Sequence, residues 1–209
     1  MIHYIHPTSP DDRIIANAIK LLRDGELICL PSDTNWLILC DLENKDGIEK
    51  LYRMKKEEPD KHFSVLVSDI SMAQNIAEIT NRDFKILKKI LPGHYTIILN
   101  AFHKTSKKLK ATKQDKQVGI RIPPIDWLRK LISHSENGLL SSNITNDLLS
   151  LSENDPVYSY LIEEKLGTKL KMIIDPGEVE FIGPSSIINL CDQIPEIMRQ
   201  GAGDCSIFE

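Results

Sequence analysis

The chain has 209 residues, a size that suits one α/β domain or a domain with a small appendage. Its 41% hydrophobic and 27% charged residues match an ordinary globular protein and exclude a disordered one. With 26 basic against 30 acidic residues the net charge is −4, so no overall basicity demands a nucleic-acid partner, and no apolar run approaches the roughly 20 residues that span a bilayer.

The opening stretch, Met1 to Asp12, lacks a charged segment followed by an apolar one, which predicts no secretory signal and a cytoplasmic protein. Ser9-Pro10-Asp11-Asp12 offers a helix N-cap, a proline for the first helical position and a carboxylate after it. Ile14, Ile15, Ala18, Ile19, Leu21 and Leu22 follow at helical spacing, and Gly25 ends the helix. Glu26 to Pro31 is short and nearly all apolar, the pattern of a strand covered on both faces. A polar Ser-Asp-Thr turn leads to a second strand, NWLILCDL. Asp46 to Lys56 reads as a helix, and Phe63 to Val67 as another buried strand.

Thr80-Asn81-Arg82-Asp83 is a capping-box candidate for a helix that stops at Leu91-Pro92-Gly93. YTIIL and, after a long polar loop, VGIRIP are strands, separated from the strand LLSSN by a helix over Ile125 to Ser133. Asp155-Pro156 reads as the cap of a helix reaching Leu166, and MIID, SSIINL and EIMR are late strands. Strands alternating with helices predict an α/β fold with a mixed sheet flanked by helices.

Cys29 and Cys40 sit inside apolar runs, where a reduced thiol behaves as a small hydrophobe, and the four cysteines make no metal-like spacing. Neither do the six histidines, so no metal site is expected. A P-loop, a dinucleotide-binding GxGxxG and a GxSxG elbow are all absent.

Polar islands at strand ends are the usual place for ligands in α/β proteins. Here they are Pro31-Ser32-Asp33-Thr34, the run Lys55 to Lys61, Arg121, Ser141-Ser142-Asn143, and Gly183-Pro184-Ser185-Ser186. Hydroxyls, lysines and one arginine suit an anionic ligand. Each island alone is an ordinary turn or a solvated helix end. Arg121 differs, because it lies between Ile120 and Ile122 in an apolar strand and its charge needs a partner. His103 to Lys116 carries six lysines against Asp115, and Lys107, Lys108 and Lys110 could track a phosphate backbone. The segment has no large aromatic side chain for stacking beyond Phe102 at its edge, so a solvated loop is the competing reading.

The order of these islands resembles the YrdC-like family, and within it the YciO branch, over nearly the whole chain. Pro31-Ser32-Asp33-Thr34-Asn35-Trp36 is similar to its P-T-D-T-x-Y, and Lys55 begins a segment similar to its K-x-R, with Lys61 following. Leu91-Pro92-Gly93, Tyr95-Thr96 and Val118 to Pro123 match further landmarks. Pro184 to Leu190 resembles P-S-T-V-[IV]-D-L, and Met198 to Gly203 resembles the closing R-x-G. The resemblance implies one YrdC-like domain over residues 1–209, with a twisted mixed β-sheet flanked by helices. It also implies the synthesis of threonylcarbamoyl-AMP from L-threonine, bicarbonate and ATP with Mg²⁺, a nucleotidyltransferase reaction that feeds transfer RNA modification.

By the same resemblance Thr34, Arg121, Ser141 and Ser185 would face L-threonine or a related small molecule, while Lys55, Lys61 and Arg199 would face the nucleotide. The chain departs from the pattern at Glu57, which stands where K-x-R has its arginine, and at Asn143-Ile144-Thr145, which stands for S-x-N. Leu37 and Leu39 replace glycines that usually follow the turn. These departures predict reduced or altered activity. The rival expectation is a non-catalytic module on the same fold that binds transfer RNA or double-stranded RNA, or associates with the ribosome, through Lys107, Lys108 and Lys110.

Overall fold

A computed structural model describes residues 1–55, 63–109 and 116–208. Within them the strands are β1 (Ile2–Tyr4), β2 (Ile28–Pro31), β3 (Trp36–Asp41), β4 (Ser64–Leu66), β5 (Tyr95–Asn100), β6 (Gln117–Arg121), β7 (Leu139–Asn143), β8 (Met172–Asp175), β9 (Ser186–Asn189) and β10 (Glu196–Arg199). They form one sheet in the order β1-β8-β2-β3-β7-β4-β6-β5-β9-β10. It is mixed: β2, β3, β7 and β4 run antiparallel in turn, whereas β4 with β6 and β5 with β9 are parallel.

The helices are α1 (Asp12–Arg23), α2 (Lys45–Lys55), α3 (Ile70–Ala73), α4 (Asn81–Ile90), α5 (His103–Lys108), α6 (Asp126–Ile132), α7 (Asn146–Leu149) and α8 (Ser159–Leu166). None is long and apolar enough to cross a membrane. Cross-strand alternation sorts the core into two layers. Cys29, Ile38, Cys40, Val65, Ile97, Ile120 and Leu140 point to one face, under α2, α4, α7 and α8. Leu30, Leu37, Leu39, Leu66, Leu139 and Met172 point to the other, under α1 and α6. Cys29 and Cys40 are fully enclosed, and burial pushes both thiols well above their ordinary range.

The capping box at Thr80 is present, each partner accepting the other's backbone N–H. Two expected caps are replaced. Asp11, not Ser9, caps α1, because its carboxylate accepts the Arg13 N–H at 2.8 Å and also pairs with the Arg13 guanidinium. Asp155 does not cap α8, which starts at Ser159; its carboxylate instead accepts the Ser152 N–H at 2.8 Å and closes a separate turn. Helices α3, α5 and α7 and strand β1 are short elements without a periodic signal, and α5 occupies the start of what reads in sequence as a polar loop. Gly25 ends α1 at φ +74°, and a Cβ there would meet Asn44 Oδ1 at 2.5 Å. The absent side chain lets Asn44 accept the Gly47 N–H at the start of α2.

Candidate functional site

Helices α1 and α6 cover only part of their face of the sheet. Beyond them, the strands present polar residues where alternation calls for apolar ones. Register makes this explicit: Leu39 lies opposite Ser141, Ser141 opposite Ser64, and Ser64 opposite Gly119. Leu39 is core, while Ser141 and Ser64 line a cleft of about 530 Å³. That volume is in the range of small-molecule sites.

Segments far apart in the chain bring side chains to this cleft. The β2–β3 turn supplies Thr34 and Asn35, the end of α2 supplies Lys55, and the end of β6 supplies Arg121. β7 and the residues after it supply Ser141, Ser142, Asn143 and Thr145, and the start of β9 with β10 supplies Ser185 and Arg199. Six of the residues singled out in the sequence, Thr34, Lys55, Arg121, Ser141, Ser185 and Arg199, therefore surround one concavity. Lys61 and Glu57 lie outside the described residues. Ser64 and Thr96 also line the cleft and were missed; their signal is period-two alternation, which turns each away from core neighbours such as Val65 and Ile97.

The turn is held by its own hydroxyls. Ser32, fully buried, bonds Thr34 Oγ1 at 3.1 Å and donates to the Asn35 carbonyl at 3.0 Å. Arg121 is only 5% exposed. Its Nη1 donates to Thr34 Oγ1 at 2.9 Å and its Nη2 to Asp33 Oδ1 at 3.0 Å. The other oxygen of Asp33 meets His94 Nδ1 at 2.8 Å. Burial pushes the Arg121 guanidinium below its ordinary value; Asp33 opposes that push and Arg199 adds to it. Among the described residues, Arg121 Nε is the single buried side-chain nitrogen or oxygen without a partner. An unmet buried donor costs about 1–3 kcal/mol.

The remaining groups are anchored too. Ser185 Oγ bonds Thr96 Oγ1 at 2.8 Å, and the Arg199 guanidinium grips the Ser185 carbonyl at 2.7 and 3.0 Å. Gly201 permits that approach, since a Cβ there would fall 2.2 Å from the Pro184 carbonyl oxygen. Ser141 Oγ donates to the Ser64 carbonyl, and Lys55 Nζ to the Asn143 carbonyl, both at 2.8 Å. Thr145 is the cap of α7, which explains a hydroxyl at that position. Leu37 and Leu39 neighbour the cleft through Asn143 and Ser141, yet their bulk is spent in the core beneath α1 and α6.

The basic segment stands apart from this cleft. Lys107 is exposed at the end of α5, and Lys108 is ion-paired with Glu43, whose other oxygen accepts from Asn137. Burial pushes the Glu43 carboxyl up, but Lys108, Asn137 and Lys104 outweigh it and hold the group below its ordinary value. Lys110 lies outside the described residues. Leu109 anchors the segment in the core layer on the opposite face from the cleft.

A mixed sheet bearing a cation- and hydroxyl-lined cleft on one face defines an α/β protein with an open polar concavity of small-molecule size. The family model for Sua5, YciO and YrdC proteins, described as telomere recombination, matches residues 20–201. The chain belongs to that family. It is 28% identical to the YciO protein of Escherichia coli K12 over 98% of this chain and 97% of that one. It is 27% identical to a putative threonylcarbamoyl-AMP synthase of Methanocaldococcus jannaschii over 87% and 83%. The crystal structure of E. coli YciO superposes with a TM-score of 0.84 at 27% identity, covering 100% of this chain and 99% of that one. That of P. abyssi Sua5 complexed with L-threonine superposes with 0.81 at 21% identity, covering 96% and 57%.

Proposed function

We propose that the cleft binds L-threonine, or a closely related amino acid, together with ATP, for chemistry of the threonylcarbamoyl-AMP synthase type. The observation that carries this reading is Arg121. A buried guanidinium with an unmet Nε lines a cleft whose described lining contains hydroxyls, amides and cations but no carboxylate. A ligand carboxylate pairs with a guanidinium of this kind, and the hydroxyls of Thr34, Ser141 and Ser185 line the same cleft, suited to a ligand's own hydroxyl and amine. The L-threonine complex of the P. abyssi relative supports the choice of amino acid.

Lys55 and Arg199 line the same cleft, and in this reading they meet phosphate oxygens, where charge develops as pyrophosphate leaves. Mg²⁺ enters this scheme as the partner of the triphosphate, part of the substrate. Lys61 is assigned to the same nucleotide by resemblance alone. The reading sets the work in the cytoplasm, within one YrdC-like domain.

Calorimetry with L-threonine and with ATP–Mg²⁺, joined to an assay of threonine- and bicarbonate-dependent pyrophosphate release, tests the proposal. Binding of both with slow release is expected, because Glu57 puts an anion where the family has a cation. Losing one stabilising group of this kind costs on the order of a hundredfold in rate. Glu57→Arg should tighten ATP and speed release. Absence of binding by either ligand overturns the reading.

The alternative, contact with transfer RNA or double-stranded RNA through α5, keeps less support. Lys108 is already matched by Glu43, leaving Lys107 as the exposed cation among the described members of the set. Filter binding at low salt decides it: retention lost in a Lys107→Gln/Lys110→Gln variant supports RNA contact, and no retention of the wild type removes it.

A further inference from the structure

Asp33 is not paired with the cleft arginine alone. His94, in the loop between α4 and β5, occupies the second oxygen of that carboxylate at 2.8 Å. A carboxylate only accepts, so the hydrogen lies on His94 Nδ1. In the neutral ring Nε2 then carries the lone pair and is the atom that takes a proton. The side chain of Asp33 is 5% exposed and that of His94 37%, so the imidazole links solvent to a buried pair. Nothing in the family resemblance draws attention to His94, which lies 61 residues from Asp33.

Resting on the reading of the cleft given above, we infer that His94 is a positioning residue whose protonation, relayed through Asp33, sets how much of the Arg121 charge is available to an anion in the cleft. With His94 neutral, one carboxylate compensates one guanidinium. With His94 charged, the same carboxylate is shared between two cations, and Arg121 is left under-compensated. Anion binding and proton uptake at His94 therefore favour each other, by the reciprocity that governs any two coupled sites.

The charged groups around the triad fix the sign. Arg121 reaches Asp33 from β6, Arg199 stands beside Arg121 from β10, and Ile182 N–H binds the Asp33 carbonyl from the segment that carries Glu180. An anion in the cleft screens the two arginines. Histidine is the side chain whose charge ordinarily changes between pH 5 and 8.

The test has a ligand-free arm and a ligand arm. In the first, NMR follows the His94 ring proton, assigned by its loss in His94→Asn, through a pH titration of the full-length wild type, Arg121→Gln and Arg199→Gln. Removing either cation should move the His94 midpoint upward; Arg199 is exposed, so that variant keeps the comparison intact if Arg121→Gln fails to fold. In the second, calorimetry measures L-threonine, neither of whose ionisable groups titrates between pH 5.5 and 8. Wild-type affinity should rise about fivefold from pH 8 to 5.5, the low end of coupling between sites. His94→Asn, which keeps a donor but cannot titrate, should change less than about twofold. A midpoint indifferent to both arginines, or a pH dependence that survives in His94→Asn, overturns the inference. If L-threonine binds at no pH, the functional reading falls and the NMR arm alone judges the coupling.

Discussion

Two halves of one sheet face behave as different materials. Along a single row of the register, Leu39 is sealed beneath the helical layer of α1 and α6, while Ser141 and Ser64 beside it line the cleft. Strand β7 makes the same passage lengthwise, with Leu139 in the core and Ser141 in the cleft. The backbone is continuous sheet in both halves; the helical cover is what changes. Where the cover stops, a fold usually buries its strands some other way, and here it leaves hydroxyls and one guanidinium. The site is thus a deliberate gap in a layer.

The comparison can be broken most severely from the covered side. Leu39→Ser carries the cleft's chemistry into the core, and the lost packing plus a cavity should lower stability by about 4 kcal/mol, read by urea unfolding. If the loss were below about 1 kcal/mol, the two halves would not differ as described.

Arg121→Met comes next. It leaves Asp33 buried with only His94, and breaking a buried pair from one side costs about 3 kcal/mol. Adding Asp33→Leu should recover most of that loss, since an apolar pair removes both desolvated charges, while L-threonine binding stays abolished in calorimetry. Recovery of stability without recovery of binding is the expected signature of a pair kept for a ligand.

Ser141→Leu sharpens the comparison from the open side. The side chain enters the cleft, so the fold should lose only the bond to the Ser64 carbonyl, about 1 kcal/mol. Binding of L-threonine should nevertheless vanish. The stability measurement and the calorimetry must separate; if both collapse together, Ser141 is core after all.

The smallest effect belongs to Asp41, at the covered end of the same strand as Leu39. Burial raises its carboxyl above the ordinary value, although the Glu43 N–H works against that. A raised carboxyl means that ionisation weakens the fold. Asp41→Asn, which keeps an acceptor for the Glu43 N–H, should therefore melt slightly higher at neutral pH. The advantage should disappear as pH falls below the unfolded carboxylate value, where Asp41 is protonated in both states. Equal melting temperatures at pH 7 would contradict the sign.

Much of the fold was legible because it rests on local rules. Alternation and continuous apolar runs mark β2 to β10, and the Thr80 capping box marks α4, since each depends on neighbours a few residues apart. The caps at Ser9 and Asp155 misled because several acceptors compete within four residues, and the winner depends on tertiary company such as the Arg13 guanidinium beside Asp11. The short helix α5 escaped for a related reason: its six residues are too few to show a period, and Leu109 and the Lys108–Glu43 pair hold it from outside.

The same division runs through the site. Polar residues interrupting apolar strands, above all Arg121 between two isoleucines, were visible as an energetic debt that required a partner. The chain order of the islands was enough to indicate the family. Tertiary structure alone decided the rest: that Leu37 and Leu39 face helices instead of the cleft, that Thr145 caps α7, and that Asp33 divides one carboxylate between Arg121 and His94. The reason is range. Strand periodicity and capping act over a handful of residues, whereas the 61 residues between Asp33 and His94 and the 88 between Asp33 and Arg121 are closed only by packing the sheet.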